Sequence, residues 1–189
     1  MTDEELLISA QSGDTQSLGV LVTRWERPLY RFVYRMLPRP DDAKDICQET
    51  FLRVMKKAHR FRKGSRFSTW LYQIALNLCR DQARRSRRWS RILDPHREFD
   101  EQIDSGAESR AAQPGPWDSV EQQERKRVVN LALQQIPAEQ REVLVLKEFE
   151  GLKFKEIAAI LDCPESTVKS RMYYGLSGLR TALLRRGFT

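Results

Sequence analysis

The chain has 189 residues, of which 40% are hydrophobic and 31% are charged, and its formal net charge at pH 7 is +7. This length and apolar content allow one domain or two small ones, and the positive charge favours a polyanionic partner. Three widely spaced cysteines and two isolated histidines show neither a disulfide framework nor metal-ligand spacing. No cofactor and no metal site are therefore expected.

Charge is distributed unevenly along the sequence. Lys and Arg outnumber Asp and Glu in residues 1–90 and 126–189, whereas acids prevail in residues 91–125. The sequence therefore predicts two basic modules joined by an acidic segment. Its first twelve residues are acidic and amphipathic, and no apolar run reaches transmembrane length, so a soluble, cytoplasmic protein is expected.

Apolar residues at helical spacing predict four helices in the N-terminal module. They cover residues 3–12, 15–37, 41 to about 59, and a segment that begins near a cap at Ser68, and Pro28 is expected to bend or split the second helix. The third helix buries a stripe that includes Met55. Its opposite face is either a solvated surface or a docking face for another protein, and it carries Asp45, Gln48, Glu49, Arg53 and Lys56.

The fourth helix loses its apolar stripe after Leu78 and becomes rich in arginine. Clustered arginines follow a phosphate backbone, and an aromatic ring among them can stack on an unpaired base. This combination suits single-stranded or melted DNA. The alternative is a solubilising tail on a helix whose aromatic residues are all core, and we favour nucleic acid. The residues concerned are Arg80, Arg84, Arg85, Arg87, Arg88 and Trp89, with Asp81 as the single acid among them.

Residues 92–119 have no sustained period, are acidic, and contain several prolines and glycines. They are predicted to form a linker that is flexible or becomes ordered only against a partner. Helical spacing returns at Val120 and continues to about residue 135. Another helix is predicted from Pro137 to Gly151, because proline suits a first helical turn and glycine a helix end.

The segment 153–184 has the pattern of a helix-turn-helix. An apolar face of Phe154, Ile157, Ala158 and Leu161 stops at Asp162-Cys163-Pro164, and a second helix follows with Ser166 as its expected cap and an inward stripe of Val168, Met172, Leu176 and Leu179. In such a motif the second helix presents its N-terminal side chains to the major groove. The alternative is an ordinary helical hairpin with a basic surface.

Three stretches, in this order, resemble bacterial sigma factors of the extracytoplasmic-function (ECF) group. They are DDAKDICQETFLRVMKKAHRF at 41–61, FSTWLYQIALNLCRDQARR at 67–85 and IPAEQREVLVLKEFEGLKFKEIAAILDCPESTVKSRM at 136–172. The resemblance implies an all-α protein of two small helical domains. Region 2 would occupy residues 1–91, the linker 92–119, and region 4 residues 120–189.

The same resemblance implies three sets of site residues. Asp45, Gln48, Glu49 and Leu52 would dock on the clamp helices of the largest subunit of RNA polymerase. The loop Lys63, Gly64, Ser65, Arg66 and Phe67 would receive a base flipped from the minus-ten non-template strand, and Asn77, Arg80, Arg84, Arg85 and Arg88 would guide nearby DNA. Thr167, Lys169, Ser170, Arg171, Tyr173 and Tyr174 would reach the minus-thirty-five duplex.

The resulting hypothesis is a sigma factor, not an enzyme, that binds core RNA polymerase and promoter DNA and takes no small-molecule substrate. The resemblance also implies an anti-sigma partner, commonly linked to the membrane, that holds the protein inactive at the inner membrane face. A stand-alone regulator that binds duplex DNA as a dimer is a second hypothesis, but it leaves the arginine-rich helix without a role. A helical enzyme acting on nucleic acid is a third, and the sequence contains no paired carboxylates with metal spacing, no glycine-rich phosphate loop and no nucleophile–base pair.

Overall fold

A computed structural model describes residues 1–61, 64–93 and 120–187, and it describes only the backbone at 90–93 and 120–121. All regular secondary structure in these residues is helical. The predicted all-α fold with two domains is confirmed. The predicted linker lies almost wholly outside the described residues.

The N-terminal domain is a bundle of four helices. They are α1 Asp3–Gln11, α2 Thr15–Met36, α3 Pro40–Lys57 with a 3-10 turn Ala58–Arg60, and α4 Phe67–Leu93. The α2 helix lies against the other three, and the apolar side of each helix is turned toward its neighbours. Phe32 of α2, Val54 of α3 and Leu71 of α4 are completely buried there.

The α4 helix begins one residue before the predicted cap. Its first residue is Phe67, so Ser68 lies inside the first turn and the predicted cap is wrong. The carboxylate of Glu4 instead accepts the Phe67 backbone N–H at 2.8 Å. A helix N-terminus leaves amide groups unpaired, and here an acid from a distant helix supplies one of the missing acceptors.

The α2 helix runs without a break through Pro28. Of the two effects predicted for Pro28, bending or splitting, splitting does not occur. Proline removes one amide donor and leaves the carbonyl of Arg24 without its helical partner. Arg24 lies on the exposed side of α2, where water can bond that carbonyl, while Leu21 and Leu29 hold the same helix in the core.

The C-terminal domain also has four helices. They are α5 Val120–Gln134, α6 Ala138–Leu144 with a π-helical turn Val145–Phe149, α7 Phe154–Leu161 and α8 Glu165–Leu184. The α8 helix packs against the other three. The core contains Leu133, Val143, Ile157 and Val168, all with no exposed surface.

The buried face of α8 differs from the predicted stripe. Leu176 is 47% exposed, whereas Gly175 is buried. A Cβ atom at Gly175 would lie 3.1 Å from the Cδ1 atom of Leu144, so the missing side chain is what lets α8 approach α6. The helix is rotated toward this glycine, and Leu176 is turned outward as a result.

Two of the three cysteines are buried. Burial raises the pKa of the Cys47 thiol to about 12 and raises that of Cys79 as well, so both remain protonated at neutral pH. Cys163 is half-buried in the turn between α7 and α8. Among the residues that the structure describes, no helix is long and apolar enough to cross a membrane.

Candidate nucleic-acid interface

The turn between α7 and α8 has the three residues that the sequence predicts for a helix-turn-helix. Asp162 adopts a left-handed conformation with φ of 52°, which aspartate tolerates better than most residues. Pro164 occupies the cap position of α8, and its ring prevents continuation of the preceding helix. The α8 helix begins at Glu165, so Ser166 lies within its first turn and the predicted cap at Ser166 is wrong.

The first half of α8 divides cleanly into a buried and an exposed side. Val168 and Met172 enter the core, while Tyr173 and Tyr174 are 71% and 61% exposed. Lys169 and Ser170 are also exposed, and Thr167 is half-buried. The exposed groups are a cation, hydroxyls and aromatic rings, which suit phosphates, base edges and thymine methyl groups.

Both cations of this surface are paired with acids of the same domain. Lys169 Nζ lies 2.9 Å from Glu165 Oε1, and both side chains are largely exposed. Arg171 binds Glu139 at the start of α6, and its side chain is only 24% exposed. Arg171 is therefore more recessed than Lys169, Tyr173 or Tyr174.

The loop before α4 presents three of its five predicted site residues to solvent. Gly64 has φ of 87°, a conformation that favours glycine, and Ser65 and Arg66 beside it are exposed. Phe67 has no exposed surface, so its side chain is core and is unavailable to a DNA base. Its ring packs edge-on against Trp25 and Trp70. Lys63 lies outside the described residues.

Exposed polar and basic side chains continue along α4. Asn77, Arg84 and Arg88 recur at helical spacing and are exposed, as is Arg85. Arg84 also pairs with Asp81 one turn earlier. Trp89, one residue beyond Arg88, is 63% exposed and offers a ring for base stacking.

Arg80, the remaining predicted residue of α4, is hydrogen-bonded to the C-terminal domain. Its Nε and Nη2 atoms donate to the two carboxylate oxygens of Glu142 on α6, at 2.9 and 2.6 Å. The hydrogen bonds from the charged guanidinium to Glu142 raise the pKa of Arg80 above its usual value. Sequence reasoning missed Glu142, because helical periodicity carries no information about a partner in another domain.

A second contact between the domains forms around Glu150. The hydroxyl of Tyr72 donates to its carboxylate, and Arg35 Nη1 lies 3.7 Å from the other oxygen. Burial raises the pKa of Glu150 and of Tyr72 and lowers that of Arg35. The Arg35 guanidinium also stacks over the ring of Phe149 at 4.2 Å.

The outer face of α3 carries the residues predicted to bind polymerase. Asp45 and Gln48 are exposed, and Leu52 is 48% exposed. Glu49 is half-buried and accepts from Arg53 Nε at 2.7 Å, and this hydrogen bond lowers the pKa of Glu49. The side chain of Met55 is also on this face, at 49% exposure, so its predicted place in the core is wrong.

Met55 was identifiable from sequence spacing. Gln48, Leu52 and Met55 follow one another at four and three residues, which places them on one side of a helix. The exposed pair of Leu52 and Met55 adds an apolar centre to a charged surface, the composition typical of a protein-binding patch.

Two parts of the chain match known protein families. Residues 21–89 match the family described as Sigma-70 region 2. Residues 126–177 match the family described as Sigma-70, region 4. The first match covers most of the N-terminal bundle, and the second runs from within α5 through α6 and α7 into α8.

Similar proteins match over nearly the whole chain. The ECF RNA polymerase sigma-E factor of Salmonella typhimurium is 31% identical over 173 residues, covering 92% of this chain and 90% of the relative. The RNA polymerase sigma-H factor of Pseudomonas aeruginosa is 30% identical over 184 residues, covering 96% and 93%.

Two solved structures have a similar fold. The sigma factor RpoE in complex with the anti-sigma factor NepR, from Bartonella quintana, matches with a TM-score of 0.70 and 26% identity over 86% of this chain and 93% of that one. CnrH, in complex with the cytosolic domain of CnrY, matches with a TM-score of 0.70 and 24% identity over 98% and 99%. At 24% identity, the match to CnrH supports the fold only.

A region 2 bundle followed by a region 4 helix-turn-helix defines a sigma factor. The chain belongs to the ECF group of this family, as the near-complete match to the ECF sigma-E factor shows. The resemblance noted in the sequence is confirmed.

Proposed function

We propose that the two domains of this sigma factor divide promoter recognition between them while the chain is bound to core RNA polymerase. The N-terminal domain opens the minus-ten element, and the C-terminal domain reads the minus-thirty-five duplex. The observation that carries this proposal is the presence of both sigma-70 regions, in order, in one chain. The domain limits assigned to these tasks are 1–91 and 120–189, with 92–119 as a linker that passes toward the RNA exit of the polymerase.

Duplex reading is assigned to the exposed side of α8. Lys169 and Ser170 contact phosphates and base edges, and the rings of Tyr173 and Tyr174 contact the groove wall. Thr167 and Arg171 complete the set from more recessed positions. These side chains stand on a helix that is held by buried Val168 and Met172, so the backbone that carries them is already ordered before binding.

Strand opening is assigned to the loop 63–66 and to α4. Unstacking a base costs a few kcal/mol, and a protein offsets this by capturing the base outside the helix. The exposed loop residues Gly64, Ser65 and Arg66 leave room for such a base, and the arginines of α4 hold the adjoining backbone. Asn77, Arg80, Arg84, Arg85 and Arg88 form this backbone-contacting set.

Polymerase binding is assigned to the outer face of α3. Its polar contacts are assigned to Asp45, Gln48 and Glu49. The apolar contact is assigned to Leu52, and the exposure of Met55 adds that residue to it. A face with an exposed apolar centre and a charged rim fits a helix of another protein better than it fits DNA.

An anti-sigma protein is the proposed regulator. The structural relative RpoE is bound to the anti-sigma factor NepR, and this chain shares its fold over 86% of its length. We place the free protein in the cytoplasm, held near the membrane when its anti-sigma partner is membrane-linked, and we assign it no catalytic activity of its own. Affinity capture from the source cells tests this part, because recovery of polymerase alone would contradict it.

Run-off transcription tests the proposed function. Core polymerase with this chain is expected to start discrete transcripts on genomic promoter fragments, and core polymerase alone is not. A variant with Leu52→Asp and Met55→Asp is expected to lose association with core while it keeps its fold, because both side chains are exposed. Failure of the unsubstituted chain to associate with core would overturn the assignment.

A further inference from the structure

An acid stands at the tip of α8, among the groups that are assigned to the minus-thirty-five duplex. Glu165 is the first residue of this helix and directly follows Pro164. Its side chain is 45% exposed, and its Oε1 atom lies 2.9 Å from Lys169 Nζ, one helical turn further along. In a helix-turn-helix the N-terminal residues of the second helix reach the base edges. Glu165 therefore lies where a base can contact it, although it is absent from the site residues expected from the sequence.

The ammonium group of Lys169 is held from two sides. The Glu165 carboxylate is on one side, and the ring of Phe154 at the start of α7 is on the other, with Nζ 5.9 Å from the ring centroid. An ammonium group within about 6 Å of a ring centroid is attracted to the ring face. Packing against the core fixes the position of this ring. The carboxylate and the ammonium group are thus presented together as a pair.

This pairing suits base reading better than phosphate binding. A lone lysine attracts a DNA phosphate, whereas a Glu–Lys pair has no net charge to attract one. The carboxylate is repelled by phosphates and by the acceptor atoms of bases unless a donor hydrogen-bonds to it. The pair of Glu165 and Lys169 is therefore expected to contribute more to the selection of a base than to overall affinity.

A C·G base pair offers the complementary pattern of donors and acceptors. In the major groove cytosine presents its N4 amino group, which donates to Glu, and guanine presents O6 and N7, which accept from Lys. Cytosine N4 and guanine O6 are joined by a Watson–Crick hydrogen bond of about 2.9 Å. Since the charged atoms of Glu165 and Lys169 are also 2.9 Å apart, each can face its own base of one pair.

The order of the two charges selects the orientation of the base pair. If the pair were inverted, the carboxylate would face the guanine acceptors and the ammonium group would face the cytosine amino group, so neither hydrogen bond could form. An A·T pair gives the carboxylate the adenine N6 amino group, but it leaves the lysine only thymine O4 beside a methyl group. A C·G pair in one orientation is thus the best match, and its inversion is among the worst.

We propose that Glu165 and Lys169 together read one C·G base pair of the minus-thirty-five duplex, with cytosine facing Glu165 and guanine facing Lys169. This inference rests on the proposed function, because it requires α8 to lie in the major groove. Glu165 determines specificity by rejecting bases that present an acceptor to it. A carboxylate in the first turn also stabilises a helix, but that effect is the same on every promoter, whereas base reading affects one position.

The test uses core polymerase with the full chain and a pool of promoter fragments in which every base pair of the minus-thirty-five element is randomised. The fragments that polymerase retains under competition are sequenced. The unsubstituted chain is compared with Glu165→Gln and Lys169→Met, which keep the side-chain length. The control is Glu148→Gln, which removes the same charge as Glu165→Gln from an exposed position of the same domain.

The unsubstituted chain and the control are expected to enrich C·G over its inversion at least about tenfold at one position of the element. Glu165→Gln and Lys169→Met are each expected to reduce this ratio to less than about threefold at that position, because each removes one half of the reading pair. Preferences at the other positions are expected to persist. Since glutamine suits adenine, Glu165→Gln is also expected to raise the share of A·T at the affected position.

Two outcomes would overturn the inference alone. One is a Glu165→Gln pool with the same base preferences as the control at every position. The other is an equal weakening of all preferences by Glu165→Gln, which a purely helix-stabilising role would produce. If the unsubstituted chain enriched no base anywhere in the element, the proposed duplex reading would itself be overturned, so the two failures are distinguishable.

Discussion

The two DNA-facing regions of this sigma factor differ in how accessible their side chains are. On α8, Tyr173 and Tyr174 stand out from a buried stripe and are mostly exposed. On the N-terminal side, Phe67 is fully buried and Arg80 is bound by Glu142. Tyr173 and Tyr174 are therefore open to solvent, whereas two of the residues expected at minus-ten DNA are buried or paired.

The largest expected effect concerns the aromatic residue that lies in the core. Phe67→Ala is expected to lower the free energy of unfolding by about 3–5 kcal/mol, because it leaves a cavity between Trp25 and Trp70. Trp89→Ala, which removes a ring that is 63% exposed, is expected to change stability very little. Urea unfolding monitored by circular dichroism measures both. Equal stability of the two variants would mean that Phe67 is not a core residue.

The second largest effect is expected when the exposed tyrosines of α8 are removed. The double substitution Tyr173→Ala and Tyr174→Ala is expected to reduce transcription about 10- to 100-fold, since losing the groove contacts of both rings is expected to cost about 1–3 kcal/mol. Run-off assays on the same promoter with and without its minus-thirty-five element supply the control, because the loss should vanish on the truncated promoter. The double substitution Tyr173→Phe and Tyr174→Phe keeps both rings and removes only the hydroxyl groups, so it shows which part of the side chains is needed. An equal loss on both promoters would contradict the assignment.

A smaller effect is expected where α1 supports the start of α4. The hydrogen bond from the Phe67 N–H lowers the pKa of Glu4 below its usual value. A carboxyl group with a lowered folded-state pKa stabilises the protein above its unfolded pKa of about 4.5, and this contribution is lost as pH falls through the folded value. Glu4→Gln is expected to cost about 1 kcal/mol at pH 7 and nothing in strong acid.

Thermal unfolding of Glu4→Gln across acidic and neutral pH measures this difference. Glu26→Gln, an exposed acid on α2, serves as the control and should leave the pH dependence unchanged. A constant gap between Glu4→Gln and the parent at every pH would show that the carboxylate charge is irrelevant to the start of α4.

Local patterns predicted the helices well, and the helix-turn-helix best of all. Its two apolar faces and the break at Pro164 lie within one short segment, so helical periodicity and proline geometry are sufficient. Helical periodicity predicted the wrong buried residue where contact with another helix decides which side chains are buried. Leu176 was expected to be buried by spacing alone, yet the close approach of α6 at Gly175 turns it outward.

The predicted caps failed for a related reason. Ser68 was a reasonable cap by residue type, but Glu4, far away in sequence, supplies the acceptor at the start of α4. Glu142 and Glu150 likewise reach across from the other domain, and no local pattern indicates their partners. The residue pattern already indicated nucleic acid for the arginines of α4 and a DNA-facing side on α8, and the family resemblance supplied the individual site residues, including those on α3. The structure adds which of them are exposed, paired or buried.

The most direct test of the account concerns strand opening by the arginines of α4. Arg84→Ala, Arg85→Ala and Arg88→Ala are combined in one chain, and the control combines Arg180→Ala, Arg185→Ala and Arg186→Ala, which removes the same charge from exposed positions of the other domain. Permanganate reactivity of unpaired thymines is measured on promoter complexes with core polymerase. The account predicts that the α4 variant loses minus-ten reactivity about tenfold or more while it still binds core, and that the control keeps it. Equal opening by the two variants would contradict the central claim.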